Sequence, residues 1–215
     1  MRQDASSWIP LFPEEEVPFI LAAVLRSGAR LKKLHSTELE NNLNDRLRDE
    51  LDRDSGLRAR PVELFREVPL YDRKKSRRKP LGRTDLIFLY STGAMKPWPY
   101  FVIECKRLHV TFPSGWQSLI SEYVTGNQGM RCFIEGRYAM GLVSGGMLAY
   151  VFDGKIEAAR SSVGASIEEN HEQLKSDVTP YFCSSAALNL GSSISESIHV
   201  LSQGNFTIYH LFLPV

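Results

Sequence analysis

Two acids and a lysine have the residue types and the spacing for phosphate chemistry around a hard cation. Glu104-Cys105-Lys106 closes an apolar run, Phe101-Val102-Ile103. A strand turns alternate side chains to opposite faces, so Glu104 and Lys106 share one face and Cys105 takes the other. Upstream, Arg83-Thr84-Asp85-Leu86-Ile87-Phe88-Leu89-Tyr90 forms a second strand-like run, and Ser91 to Pro97 between them is rich in turn residues. Asp85 and Glu104 are equidistant from position 94.5, inside that turn. If the runs pair as an antiparallel hairpin about that point, the two carboxylates lie opposite each other and repel. A divalent cation between them removes the penalty, and Lys106 adds positive charge on the same face.

These residues need a scaffold. Pro13 and Glu14-Glu15-Glu16 open a first helix running to about Arg26, with Gly28 as its stop. Thr37 with Glu40 three residues on reads as a capping box for a second helix, and Leu39, Leu43, Leu47 and Leu51 form its apolar stripe. At ~100° per residue, Glu40 lies about 40° from the centre of that stripe. A carboxylate so placed either closes the capping box or faces a partner inside the fold. Glu38 points away from the stripe and reads as solvated. Pro61 to Leu70 reads as a strand. Pro113-Ser114 opens a helix through Val124, and a second helical piece runs from Gln128 to Glu135. Met147 to Phe152 is a buried strand, a helix spans about Ile156 to Leu174, and Ser195–Ser202 and Asn205–Leu213 form a terminal hairpin. His109 reads as a surface residue, His199 and His210 as core or edge residues, and Tyr123 and Tyr138 as packing. The fold class is α/β, a central mixed sheet flanked by helices, in place of the strict alternation of a doubly wound fold.

A helix glutamate, then an aspartate, then Glu-x-Lys on successive elements resembles the PD-(D/E)xK superfamily of restriction-endonuclease-like nucleases. The resemblance covers about Thr37 to Glu135; Thr84 stands where the family name has proline. It implies an αβββαβ core over about 37–152, followed by a C-terminal helix and hairpin over 155–215. It implies a metal-dependent nuclease cutting phosphodiesters, DNA more readily than RNA, to a 5′-phosphate and a 3′-hydroxyl, in restriction, phage defence or repair. Mg²⁺, with Mn²⁺ as a substitute, would be held by Asp85, Glu104 and the Cys105 carbonyl. Glu40 would hold a second ion or orient water, and Lys106 would position or deprotonate the attacking water. Gln128 and Arg131 would face the substrate phosphate, an exposed helix face being the alternative. The rival reading is a non-catalytic nucleic-acid-binding or interaction subunit of a larger assembly.

The whole chain fits this frame. Its 215 residues suit one domain with a substantial core. Net charge is only +1, yet Arg73, Lys74, Lys75, Arg77, Arg78 and Lys79 put six cations into seven residues, leaving the remainder at −5. Such a run is either a solvated loop or a grip on nucleic-acid phosphate, and it leads directly into the Asp85 strand. The three cysteines are dispersed, which excludes a disulfide framework or a zinc site of close pairs. With no apolar stretch of membrane-spanning length and no signal-peptide pattern, the expected location is cytoplasmic. A nuclease without a targeting module also suggests a homodimer or a partner protein.

Overall fold

The computed structural model describes residues 11–71, 80–91, 99–138, 142–188 and 194–215. The basic run 73–79 lies outside them. A short 3₁₀ turn over Glu14–Glu16 leads into α1 (Val17–Gly28). Then follow α2 (Glu40–Leu51), α3 (Ser55–Arg58), β1 (Val62–Tyr71), β2 (Pro80–Tyr90) and β3 (Tyr100–Leu108). A small hairpin, β4 (Val110–Phe112) and β5 (Gly115–Gln117), precedes α4 (Ile120–Val124) and α5 (Arg131–Ile134). The rest is β6 (Ser144–Val151), α6 (Ile156–Glu169), β7 (Cys183–Ser184), β8 (Ile194–Leu201) and β9 (Gly204–Pro214). No helix among the described residues is long and apolar enough to cross a membrane.

Seven strands form one mixed sheet in the order β1-β2-β3-β6-β9-β8-β7, with β3, β6 and β9 parallel and the outer strands antiparallel. Strand alternation divides the core in two. Phe101, Ile103 and Cys105 of β3 and Leu148 and Tyr150 of β6 pack with α1, α2 and α3. Val102 and Leu108 of β3 and Met147, Ala149 and Val151 of β6 pack with α4, α5 and α6. Helices thus cover both faces, and the central parallel strands are largely apolar on both sides, as burial there requires, with Glu104 and Lys106 of β3 and His210 of β9 as buried polar exceptions.

β2 and β3 pair from Leu89↔Tyr100 to Leu86↔Ile103, and the numbers of each pair sum to 189, the register that the mirrored spacing of Asp85 and Glu104 demands. Beyond Leu86 the two strands part. β2 continues along β1 to Pro80, and β3 continues along β6 to Leu108↔Val151. The sheet therefore forks at the level of Asp85 and Glu104, and α2 packs against both prongs.

Several local expectations fail for identifiable reasons. Residues 113–117 turn a β-hairpin and do not start a helix: Pro113-Ser114 suits a turn as well as a helix start, and Gly115 supplies the φ of 121° that the turn needs. Only Ile120–Val124 of that stretch is helical, and the next helix shrinks to Arg131–Ile134. α6 ends at Glu169, five residues early. The capping box does not form. Leu39 is the N-cap of α2, no side chain caps it, and Glu40 is the first helical residue. Leu39 is accordingly 61% exposed, while Leu43, Leu47 and Leu51 are fully buried. Leu47→Ala should cost about 2–5 kcal/mol in urea unfolding. Leu39→Ala should stay within about 0.5 kcal/mol.

Candidate active site at the sheet fork

Asp85 lacks a ladder partner on either side. On the β1 side the pairing skips Glu67, whose backbone is left-handed (φ 52°), a conformation that costs a non-glycine residue roughly 1 kcal/mol or more. On the β3 side the fork has opened. The Asp85 side chain takes over the missing backbone role: Oδ2 accepts the Cys105 N–H at 2.7 Å. On the outer prong, the Tyr138 hydroxyl donates to the Arg83 carbonyl at 2.6 Å and the Thr84 hydroxyl reaches the Val68 carbonyl at 3.4 Å. The fork is thus sealed by side chains, as buried backbone groups require.

Lys106 sits at the centre. Its Nζ donates to the Cys105 carbonyl at 2.6 Å, to Glu104 Oε1 at 2.9 Å and to Glu40 Oε1 at 3.2 Å. Glu104 and Lys106 are both buried, at 3% and 7% exposure. The open fork lets a side chain of β3 reach a glutamate at the start of α2. The structure thus brings Asp85, Glu104, Cys105, Lys106 and Glu40 together.

The electrostatics are those of too many acids in too little water. Burial holds the Glu104 carboxyl well above its usual range and Asp85 pushes it further, against the pull of Lys106. Burial also raises Asp85 and Glu40, each opposed by Lys106. Burial by itself would lower the Lys106 ammonium, but the fields of Glu104, Glu40 and Asp85 together outweigh it and hold Lys106 above its ordinary value. Glu104 Oε2 is buried and meets no donor. It is an acceptor in want of a proton or a cation.

Among the described residues, no group of three or more His, Cys, Asp or Glu side chains stands ready-made around a metal position. The Lys106 ammonium is the counter-ion of the cluster instead. The donor set nevertheless fits a hard divalent cation: carboxylate and carbonyl oxygens, one of them buried and unpartnered.

The outlying residues are placed differently. Gln128 is exposed before α5. Arg131 is tied to its own segment, donating to Asn127 Oδ1 at 3.1 Å and Glu135 Oε1 at 2.5 Å. Glu38, expected in solvent, is wholly buried; the Leu34 N–H of the preceding loop and Arg46 of α2 pair it. His109, expected on the surface, is 5% exposed with Nδ1 at 2.9 Å from Asp153. His199 and His210 are buried and partnered, through Ser197. Compared with family models, curated proteins and solved structures, the chain matches none of them.

Proposed function

We propose that the chain is a metal-dependent nuclease of the PD-(D/E)xK type, with a restriction-endonuclease-like core and Mg²⁺ as its ion. The observation that carries this reading is the fork itself: Asp85, Glu104, the Cys105 carbonyl and Glu40 gathered around Lys106, with Glu104 Oε2 buried and unpaired. Structural ion pairs place acids where cations satisfy them. Here three upward-displaced carboxyls share one ammonium, an arrangement that a functional cation would relieve.

Asp85, Glu104 and the Cys105 carbonyl would hold the ion, with Glu40 beside them. When bound, Mg²⁺ supplies Lewis-acid polarisation of a phosphoryl oxygen and lowers the pKa of water. Water attacks phosphorus, the P–O3′ bond breaks, and the products carry a 5′-phosphate and a 3′-hydroxyl. Lys106, held as an ammonium, offers its charge to the oxygens of the pentavalent phosphorus and orients the water. Glu40 fixes Lys106 from the other side. DNA is the favoured substrate by the resemblance, and the run 73–79 is the proposed phosphate grip.

The test is cleavage of single- and double-stranded DNA and RNA in Mg²⁺ or Mn²⁺, against the same reactions in EDTA. Metal-dependent cleavage should appear in the wild type and vanish in Asp85→Ala. Cleavage unchanged in Asp85→Ala would trace the signal to a contaminant. Metal-independent nucleic-acid binding without cleavage, with candidate partners present, would favour the non-catalytic subunit.

A further inference from the structure

We infer that Arg107, together with the buried Glu38–Arg46 pair, is a positioning device that sets Glu40 against Lys106; this rests on the nuclease reading above. α2 begins at Glu40 with no side-chain cap, so its start must be fixed from outside the helix. The segment before it is held at three points. Glu38 Oε2 accepts the Leu34 N–H at 2.6 Å. Glu38 Oε1 accepts from Arg46 Nη2 at 2.7 Å, and Arg46 Nη1 donates to the Lys32 carbonyl at 2.8 Å. Arg107 Nη1 donates to the Glu38 carbonyl at 2.9 Å and to the Thr37 carbonyl at 3.4 Å.

Glu38 is 0% exposed. A carboxylate so buried is tolerated only when paired and hydrogen-bonded, so the loop cannot shift without stranding a charge. That makes the loop stiff, but stiffness alone would not place Glu40. Arg107 does, because it is the neighbour of Lys106 on β3. Lys106 meets the Glu40 side chain while Arg107 meets the backbone two and three residues before it. Adjacent residues of one strand therefore set both ends of the Glu40 placement. The guanidinium is itself steadied 5.7 Å from the Phe112 ring, beside the turn of the β4–β5 hairpin. Its planar donor geometry suits this work, and a lysine's single charged centre does not reproduce it.

Two readouts besides cleavage test the device. One is the concentration of Mn²⁺ or Mg²⁺ that gives half-maximal thermal stabilisation. The other is hydrogen exchange over residues 32–41 in the metal-free protein. Arg107→Gln should raise the metal midpoint about 10-fold and speed exchange at Leu34 and the start of α2. Arg107→Lys should give smaller changes of the same sign and guards against a variant that fails to fold. In a Glu40→Gln background, Arg107→Gln should move the metal midpoint no further, since it acts through Glu40. A lowered Tm with unchanged midpoint and unchanged exchange in that segment would make Arg107 a structural residue only and overturn the inference. Additive shifts in the double variant would also overturn it. A wild type whose stability ignores both metals would instead overturn the nuclease reading, leaving the exchange measurement to decide whether the clamp exists.

Discussion

Lys106→Met should abolish cleavage, lower the stability of the metal-free protein, and be partly rescued in stability by Mg²⁺. Its ammonium is the shared counter-ion of Glu104 and Glu40 and lies in the field of Asp85. A solvent-exposed lysine contributes little to stability, but here the loss strands buried carboxylates. Breaking a buried pair in this way costs about 3 kcal/mol, or roughly 6–12 °C in Tm for a chain of this size. The carboxyls can escape part of that cost by taking up protons, so the loss should shrink as pH falls. Cleavage should fall by at least about 10²-fold, the effect of removing a group that stabilises charge in the transition state. Glu104→Gln should move stability the other way. It removes one of two facing acids, and relief of that repulsion contributes up to about 1 kcal/mol. It should also lose the stabilisation by Mg²⁺ that the wild type shows. Thermal unfolding of the three proteins in EDTA and in Mg²⁺ reads all of this. A Lys106→Met protein as stable as wild type in EDTA would mean that the cluster is satisfied without the ammonium, and the electrostatic account of the fork would fall.

The part of this site visible in the sequence was its short-range geometry. Strand alternation places Glu104 with Lys106, and the mirrored spacing fixes the register, because both depend only on the period of a strand and the centre of a turn. The proximity of Glu40 to the stripe also pointed inward, although its reason was a lysine on β3 and not a capping box. What stayed hidden depends on contacts between elements or on turn geometry, which the period of one element does not show. Glu38 looked solvated because Arg46, Leu34 and Arg107 are invisible to helical periodicity. His109 looked exposed because Asp153 is 44 residues away. Pro113-Ser114 misled because proline and serine open a helix and a tight turn alike, and only the left-handed glycine that follows separates the two. The fork itself has no sequence signature. It follows from β3 finding a parallel partner in β6, which requires the whole α4–α5 connection to be in place.

The second large effect lies away from the fork, in the buried chain that joins α4, β9, β8 and the segment after α6. The Tyr123 hydroxyl is 3.0 Å from His210 Nδ1, Ser197 Oγ lies 2.9 Å from His210 Nε2 and 2.7 Å from His199 Nε2, and His199 Nδ1 lies 2.8 Å from the Leu174 carbonyl. Donor accounting orders it. A carbonyl only accepts, so His199 carries its proton on Nδ1 and accepts from the Ser197 hydroxyl at Nε2. Ser197 has then spent its proton, so His210 Nε2–H donates to Ser197 and His210 Nδ1 accepts from Tyr123. Every link is satisfied with both imidazoles neutral. Burial lowers His199 to about 4, and burial with the neighbouring His199 lowers His210 to about 3. Both values lie below the unfolded value near 6.5, so the unfolded chain binds more protons between them. Their stabilisation is complete above pH 6.5 and is lost as pH falls toward 4 and 3. Each should cost about 2 kcal/mol between pH 7 and pH 5. The upward-displaced acids at the fork have the opposite slope, since they favour the folded state as they protonate. The wild-type profile therefore mixes the two, and the difference between proteins isolates the histidines. His199→Asn and His210→Asn should each lower stability at pH 7, yet each should flatten its dependence on pH by about one proton between pH 6.5 and 4.5. Urea unfolding across that range measures the slope. Slopes equal to wild type in both variants would mean that neither imidazole is held neutral, and the ordered proton chain would be wrong.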